Sequence, residues 1–326
     1  MTPNSPAITE LSTFAVDVEQ GLSSSPKHIP SKYFYDAAGD KLFQQIMAMP
    51  EYYLTNCEFE IFEQQKEQIL VAFGDNPFEL IELGAGDGTK TKILLDYFLA
   101  QKADFVYRPI DISAHVLEHL VSDCARRWPD LDVQEVAGDY LEALTEIQQE
   151  ATGRRKVVFF LGGNIGNFSQ TQAVGFYREL ASHLAPGDLV LTGFDLKKNP
   201  ATILAAYNDP AGITAAFNLN LLHRINRELG ANFDPAQFLH WETYNPASGE
   251  ARSYIVSKTD QLVKIKQLQL SVHFSAWEPI SVEVSTKYND RDIKMLATQS
   301  GFEIQTTFTD QKHYFVDSLW YFKINS

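Results

Sequence analysis

Cysteine is nearly absent from this chain, with only Cys57 and Cys124 among 326 residues. Two thiols offer no disulfide framework, so a reducing compartment is expected, and the chain is placed in the cytoplasm. Positive charge is also scarce. Lys and Arg number 27 against 42 Asp and Glu, a formal net charge of −15, which speaks against an electrostatic grip on nucleic acid or anionic lipid. No apolar run reaches the length of a membrane span, and residues 1–27 lack the basic start and apolar centre of a signal peptide. Internal repeats and low-complexity tracts are missing as well. What is present, 44% hydrophobic and 21% charged residues, suffices for one large or two modest domains.

The most informative stretch is 77–92, Pro-Phe-Glu-Leu-Ile-Glu-Leu-Gly-Ala-Gly-Asp-Gly-Thr-Lys-Thr-Lys. A short, mostly apolar strand over 78–83 runs into Gly84-Ala85-Gly86-Asp87-Gly88, and a helix is expected from about Thr89. Glycines at such a join let the backbone turn sharply and bring amide N–H groups close to a ligand. The dinucleotide fingerprint asks for glycine where Thr89 stands. Glu82, just before the glycines, suits a cationic or amine-bearing ligand better than a pyrophosphate. S-adenosylmethionine (SAM), with its ammonium and sulfonium charges, fits that description.

A second strand, 105–110, leads to Asp111, an acid placed to accept both ribose hydroxyls of a nucleoside. A third, 132–137, leads into Gly138-Asp139-Tyr140, where Asp139 suits an adenine amino group and Tyr140 suits its ring. Taken singly, each acid reads better as a helix cap or a solvated loop residue. Suitable groups at the same edge of three successive strands favour a nucleoside-type cofactor.

Further strands over 156–161 and 188–194, with helices near 89–101, 113–127 and 170–185, imply an α/β fold. The sheet is expected to be parallel and doubly wound, with helices on both faces. Ahead of it, 10–21 and 37–48 read as helices, 50–55 as an ordered loop and 58–73 as a helix. After Asp195 the rhythm changes. Helices at about 200–208 and 211–229 precede strands at 237–244, 251–258, 261–274 and 279–287, whose short turns make them antiparallel. A helix at 290–300 and strands at 302–309 and 313–323 then resume the interrupted sheet. The expected division is a substrate-binding domain of 1–57 and 196–286, with the α+β insertion in it, and a cofactor domain of 58–195 and 287–326.

Several longer stretches follow one another in a specific order: Lys32-Tyr33-Phe34-Tyr35-Asp36, Pro50-Glu51-Tyr52-Tyr53, Glu82-Leu83-Gly84-Ala85-Gly86, Phe160-Leu161-Gly162-Gly163-Asn164-Ile165-Gly166-Asn167, Ala206-Tyr207-Asn208-Asp209 and Glu283-Val284-Ser285-Thr286-Lys287-Tyr288. With these, the chain resembles the histidine-specific Nα-methyltransferases of ergothioneine biosynthesis over residues 10–324. The resemblance implies a Rossmann-like class I methyltransferase sheet, SAM as cofactor, a small amino-acid substrate, and conversion of histidine to hercynine by three methylations; a monomer is expected. It implies cofactor contacts at Glu82, Gly84, Gly86, Lys90, Asp111, Asp139, Tyr140 and Gly162. Tyr52, Asn167 and Tyr207 match positions around the amino and carboxylate groups of the amino acid. Glu283 and Ser285 match the pair that hydrogen-bonds the imidazole. Tyr35 and Phe43 match aromatics close to the methylated nitrogen. Two departures stand out: Ser253 where a methionine is expected near the substrate ring, and Gly163-Asn164 in place of Ser-Thr.

Methyl transfer from a sulfonium needs alignment more than a strong base, because the leaving group is already activated. Tyr35 and Tyr52 are therefore expected to orient the amine and the waters that take its proton. Bland readings stand beside these. Asn167 reads also as the N-cap of the next helix, Tyr207 as a packing aromatic, and Ser281, Glu283 and Ser285 as a solvated sheet face. Glu283 and Ser285 alternate along a strand and so share a face opposite Val282 and Val284. His115-Val116-Leu117-Glu118-His119 spells a zinc-peptidase motif. Upstream, however, Asp111-Ile112-Ser113 reads as a ribose-binding turn and helix cap, so no metal is expected. Lys197-Lys198 and Arg126-Arg127 read as solvated or helix-end charges. A tryptophan-like substrate remains the nearest alternative because of Ser253. A non-catalytic SAM-binding protein and an NAD-dependent oxidoreductase are weaker ones.

Overall fold

Strand β1 (Phe78–Leu83) is buried along its whole length, as its run of apolar residues requires of a strand covered on both faces. It is an inner strand of a sheet in a computed structural model that describes residues 12–149 and 153–323. In chain order, α1 (Thr13–Ser23), α2 (Ala37–Met47) and α3 (Tyr53–Phe73) come first. After β1 follow α4 (Thr91–Ala100), β2 (Phe105–Asp111), α5 (Ala114–Arg127), β3 (Val136–Ala137), α6 (Tyr140–Gln149), β4 (Arg155–Phe160), α7 (Gln170–Ser182) and β5 (Leu189–Asp195). Then come α8 (Pro200–Tyr207), α9 (Ile213–Leu229), β6 (Phe238–Asn245), β7 (Glu250–Ser257), β8 (Gln261–Ile265), β9 (Leu270–Phe274) and β10 (Pro279–Thr286). The chain closes with α10 (Asp290–Gln299), β11 (Phe302–Thr309) and β12 (Phe315–Phe322).

The chain divides into two compact units: Met1–Tyr52, Asn199–Asn245 and Glu250–Val284 in one, Tyr53–Lys198, Pro246–Gly249 and Ser285–Ser326 in the other. The second unit carries a seven-stranded sheet of order β11-β12-β5-β4-β1-β2-β3. Strands β1 to β5 pair in parallel, and β12 runs antiparallel to both β5 and β11. Order reverses between β1 and β4. Open α/β sheets bind ligands at the carboxyl ends of their strands at such a switch point. One face packs Ile81, Val158, Val190 and Trp320 into a core with residues of α6, α7 and α10. On the other face Phe73 of α3 meets Phe78 and Phe159 edge-on or tilted, 5.7 and 6.0 Å between ring centres.

The first unit has its own core. Phe14 and Val18 of α1, Phe217 and Leu221 of α9, and Ile255, Ile280 and Val282 of the strands share it. Its three-stranded sheet has the order β10-β7-β6, and β8 and β9 form a separate antiparallel pair.

Most expected elements are present, with specific corrections. Tyr53 opens α3, so the ordered loop expected over 50–55 is part helix. The strand expected over 132–137 shrinks to Val136–Ala137 with a single bridge from Val133 to Tyr107. Helix α6 was not expected at all. The strand expected over 261–274 is the hairpin β8–β9. The helix expected over 10–21 begins in part outside the described residues. Among the described residues, no helix is long and apolar enough to cross a membrane.

Candidate active site

In the second unit, the turn after β1 brings together most of the residues expected to hold the cofactor. Gly84 and Gly86 have φ of +73° and +55°, a region that side chains other than glycine enter at a cost. Both the Gly84 and Ala85 amides bond the carbonyl of Ile110 on β2, at 2.8 and 3.0 Å. The turn is thereby fastened to the neighbouring strand end. Asp111 takes the Gly86 amide on one oxygen at 3.0 Å and the Ser113 amide on the other at 2.9 Å. A side chain on Gly86 would meet nothing within 4 Å, whereas one on Gly84 would lie 2.8 Å from the Tyr140 hydroxyl. An open cradle is thus bounded by an aromatic ring and an acid, which suits a nucleoside. Burial, followed by the charges of Asp111 and Asp139, raises the Tyr140 hydroxyl to about 12. All three groups therefore share one locality.

Lys90 lies on the other side of the turn. Its ammonium pairs with Glu58 of α3, whose second oxygen accepts the Gly162 amide at 2.8 Å. Asp317 of β12 is buried beside them, and burial, then the Glu58 charge, pushes its carboxyl well above the usual range. Neither Glu58 nor Asp317 was expected at the site; both come from segments distant in sequence, and no local pattern marks them.

Two residues expected to contact the cofactor have structural partners. Glu82 is 4% exposed, and its oxygens take the hydroxyls of Thr91 and Tyr107, each at 2.5 Å. It thereby ties β1 to β2 and α4 behind the turn. Asp139 accepts the Leu141 amide at 3.0 Å and so caps α6, while remaining exposed. Ile112, next to Asp111, is 77% exposed. It is an apolar surface beside the acid that sequence reading passed over as part of a turn.

Asn167 ends a short 3-10 helix, Asn164–Asn167, after β4. The following helix is capped by Ser169, with Gln172 completing a capping box, so capping is not the task of Asn167. Gly166 approaches the β10 end closely. A side chain there would lie 2.9 Å from the Thr286 carbonyl and 3.3 Å from the Ser285 hydroxyl. Ser285 is buried and accepts from Lys287 at 2.7 Å. Lys287, itself buried, pairs with Asp195 at 2.8 Å. Asp195 also takes the Tyr53 hydroxyl on both oxygens and pairs with Lys198. Lys198, expected on a solvated face, is instead buried there, and burial above all lowers its ammonium below the usual range.

In the first unit, Tyr35, Phe43, Tyr52 and Tyr207 form one aromatic cluster. Tyr35 and Phe43 meet edge-on at 5.4 Å, Phe43 and Tyr52 at 6.4 Å, Tyr52 and Tyr207 at 6.4 Å. Phe217 of α9, outside the expected site residues, touches both Tyr35 and Phe43. Tyr35 is 44% exposed and Tyr207 is buried. His240 donates to the Tyr207 carbonyl at 2.9 Å, which fixes that backbone. Glu283 is half-buried, and its carboxylate lies 3.3 Å from the Ser253 hydroxyl. Val282 is in the core, but Val284 is only half-buried, so the clean apolar face expected opposite Glu283 is incomplete. His115 and His119 face one another on an exposed stretch of α5, ring centres 4.5 Å apart. Among the described residues, no group of three or more His, Cys, Asp or Glu could hold a metal ion.

A parallel sheet with a reversal beside β1, a glycine turn and an acid after β2 defines the class of nucleoside-cofactor α/β proteins. Within that class the chain belongs to the SAM-dependent histidine-specific methyltransferases, whose family model matches residues 14–322. A histidine N-alpha-methyltransferase of Mycolicibacterium smegmatis is 37% identical over 294 residues, 90% of each chain. Another, from Mycobacterium tuberculosis, is 36% identical over 295 residues, again 90% of each. Ergothioneine biosynthesis protein 1 of Schizosaccharomyces pombe is 28% identical over 92% of this chain, which spans 40% of that relative's length.

Proposed function

We propose that this chain transfers methyl groups from SAM to the α-nitrogen of L-histidine, three in succession, yielding hercynine for ergothioneine biosynthesis. The observation that carries the proposal is the Glu283 carboxylate beside Ser253 in the first unit, an acceptor of the kind that imidazole N–H requires. The histidine-specific family match supports it. When bound, SAM supplies a methyl group on an activated sulfonium.

The open turn at Gly84 and Gly86, with Asp111, Tyr140 and Asp139 around it, would hold the nucleoside end of the cofactor. Ile112 would offer its apolar side to the base. Lys90 and the Gly162 segment, tied together by Glu58, would hold the amino-acid end. Asn167 and Tyr207 would take the α-amino and carboxylate groups of histidine, and Glu283 and Ser285 its ring. Tyr35 and Tyr52 would orient the amine and the waters that receive its proton, and Phe43 and Phe217 would wall the methylated nitrogen. Aromatic faces there also suit a product that becomes a quaternary ammonium. The reading takes the chain as a cytoplasmic monomer.

The test is mass spectrometry of the protein incubated with SAM and a full panel of amino acids. A product from histidine alone, heavier by three methylene units on its α-nitrogen, is expected. Turnover of tryptophan or another amino acid in preference to histidine would replace the proposed substrate.

A further inference from the structure

Gly193, on the buried strand β5, leaves a space that Glu58 of α3 fills. A side chain there would lie 2.7 Å from a Glu58 carboxylate oxygen. Gly193 is the register partner of Asp317 on β12, and paired residues of neighbouring strands direct their side chains to one face of the sheet. The Asp317 carboxyl therefore stands beside that of Glu58, and both residues are 0% exposed. One Glu58 oxygen takes the Gly162 amide at 2.8 Å, and the other pairs with the Lys90 ammonium. Asp317 is placed differently. Among the described residues, neither of its oxygens receives a hydrogen bond.

Two carboxylates side by side and out of water do not both stay charged. An ionised carboxyl only accepts hydrogen bonds, so an ionised Asp317 would be a buried charge without a donor, which is costly. Protonated, it has one O–H to give, and Glu58, whose oxygens can each accept more than one bond, is the acceptor beside it. We infer that Asp317 is a positioning residue of the cofactor site: as the neutral acid it donates to Glu58, and the pair presents a single negative charge to Lys90 and the Gly162 amide. This rests on the proposed reading of Lys90 and the Gly162 segment as the holders of the amino-acid end of SAM. Burial, then the Glu58 charge, keeps the proton on Asp317, while Lys90 acts in the opposite sense. The added bond fixes the Glu58 carboxylate between the segments after β1 and β4. Lys90 has its ammonium 3.4 Å from where a side chain on Gly162 would begin, so a shift of Glu58 disturbs both segments together. Glu82 is the other acid that feels Lys90 and Glu58, and its oxygens are engaged by Thr91 and Tyr107. With Asp317 neutral, Glu58 and Lys90 balance in charge, and the zwitterionic end of the cofactor meets no surplus acid.

Asp317→Leu and Asp317→Asn in the full chain test the bond, because leucine fills the space without a donor and the asparagine amide can give an N–H to Glu58. Calorimetry is expected to show Asp317→Leu binding S-adenosylhomocysteine about tenfold more weakly, the scale of one charge-assisted hydrogen bond. In steady-state kinetics the KM for SAM should rise by a similar factor, with the KM for histidine within about twofold of wild type. Asp317→Asn should recover most of that loss. Infrared difference spectra of wild type against Asp317→Asn, taken at about pH 8 to keep Glu82 ionised, should show the C=O stretch of a neutral carboxylic acid. A carboxylate band in its place overturns the inference, and so does an asparagine variant that binds as weakly as the leucine one. Unchanged affinity in Asp317→Leu, or equal rises in both KM values, reduces Asp317 to a structural role and also overturns it. Should Asp317→Leu not fold, the infrared band and an Asp317→Asn affinity close to that of wild type carry the inference, and the absence of either overturns it. Wild type that binds no S-adenosylhomocysteine overturns the reading of Lys90 and Gly162, and the inference falls with it.

Discussion

Glu82 is a buried carboxyl that braces the glycine turn from behind. It sits two residues before Gly84, with a hydroxyl on each oxygen, and burial, only partly offset by those hydroxyls, raises it from 4.5 to about 7. Because the folded form binds its proton more tightly than the unfolded form, the folded state is favoured below pH 4.5. That advantage fades as pH rises from 4.5 to about 7. The slope corresponds to roughly 3 kcal/mol in total. Glu82→Gln, which carries no titrating proton, should therefore be least favourable relative to wild type below pH 4.5. It should gain ground by pH 8, in urea denaturation at several pH values. Parallel stability curves for the two proteins would show that Glu82 does not titrate in this window. Lys287 makes a related point at the same scale. By donating to Ser285 it fixes the place of that hydroxyl at the end of β10.

At the scale of elements, α3 does more than cover the sheet. Its Glu58 joins the segment after β1, through Lys90, to the segment after β4, through the Gly162 amide. Removing that charge loosens both at once. Glu58→Gln is expected to weaken SAM or S-adenosylhomocysteine binding about tenfold in calorimetry, the scale of a lost charge-assisted bond. Unchanged affinity would mean that Lys90 needs no anchor. No sequence pattern announces this bridge, because its parts are separated by dozens of residues and meet only through the sheet. The elements themselves were more legible. β1, β4 and β5 are apolar runs ended by glycine or acid, and the α7 and α10 starts carry Ser and Asn caps with the box partner three residues on. Where reading failed, a local signal was missing or was assigned to another task. The turn between β8 and β9 has no glycine or proline; Gln269 enters positive φ at 49° instead, so two strands read as one. Helix α6 was missed because the cofactor reading of Asp139 and Tyr140 outweighed the capping reading that Asp139 also allows.

For the molecule as a whole, a formal charge of −15 is compatible with its ligands: neither a zwitterionic amino acid nor a cationic cofactor is repelled by an acidic protein. The global measure of that fit is stability in the presence of ligand. S-adenosylhomocysteine at about 100 times its Kd should add roughly 2.7 kcal/mol to the folded state, a rise in Tm of roughly 5 °C for a chain of this size. Gly86→Ala separates the fold from the ligand in that experiment. The added methyl meets no protein atom within 4 Å, so its cost to the unliganded protein is the left-handed backbone alone, about 1–2 kcal/mol. The same methyl occupies the open side of the turn, where the cofactor is proposed to lie. The variant should therefore melt a few degrees below wild type without ligand and lose most of the ligand-induced rise. A Gly86→Ala protein that gains as much as wild type would place the cofactor away from this turn. The assignments of Asp111, Tyr140 and Lys90 would then have to be abandoned together, since the structure gathers all three around it.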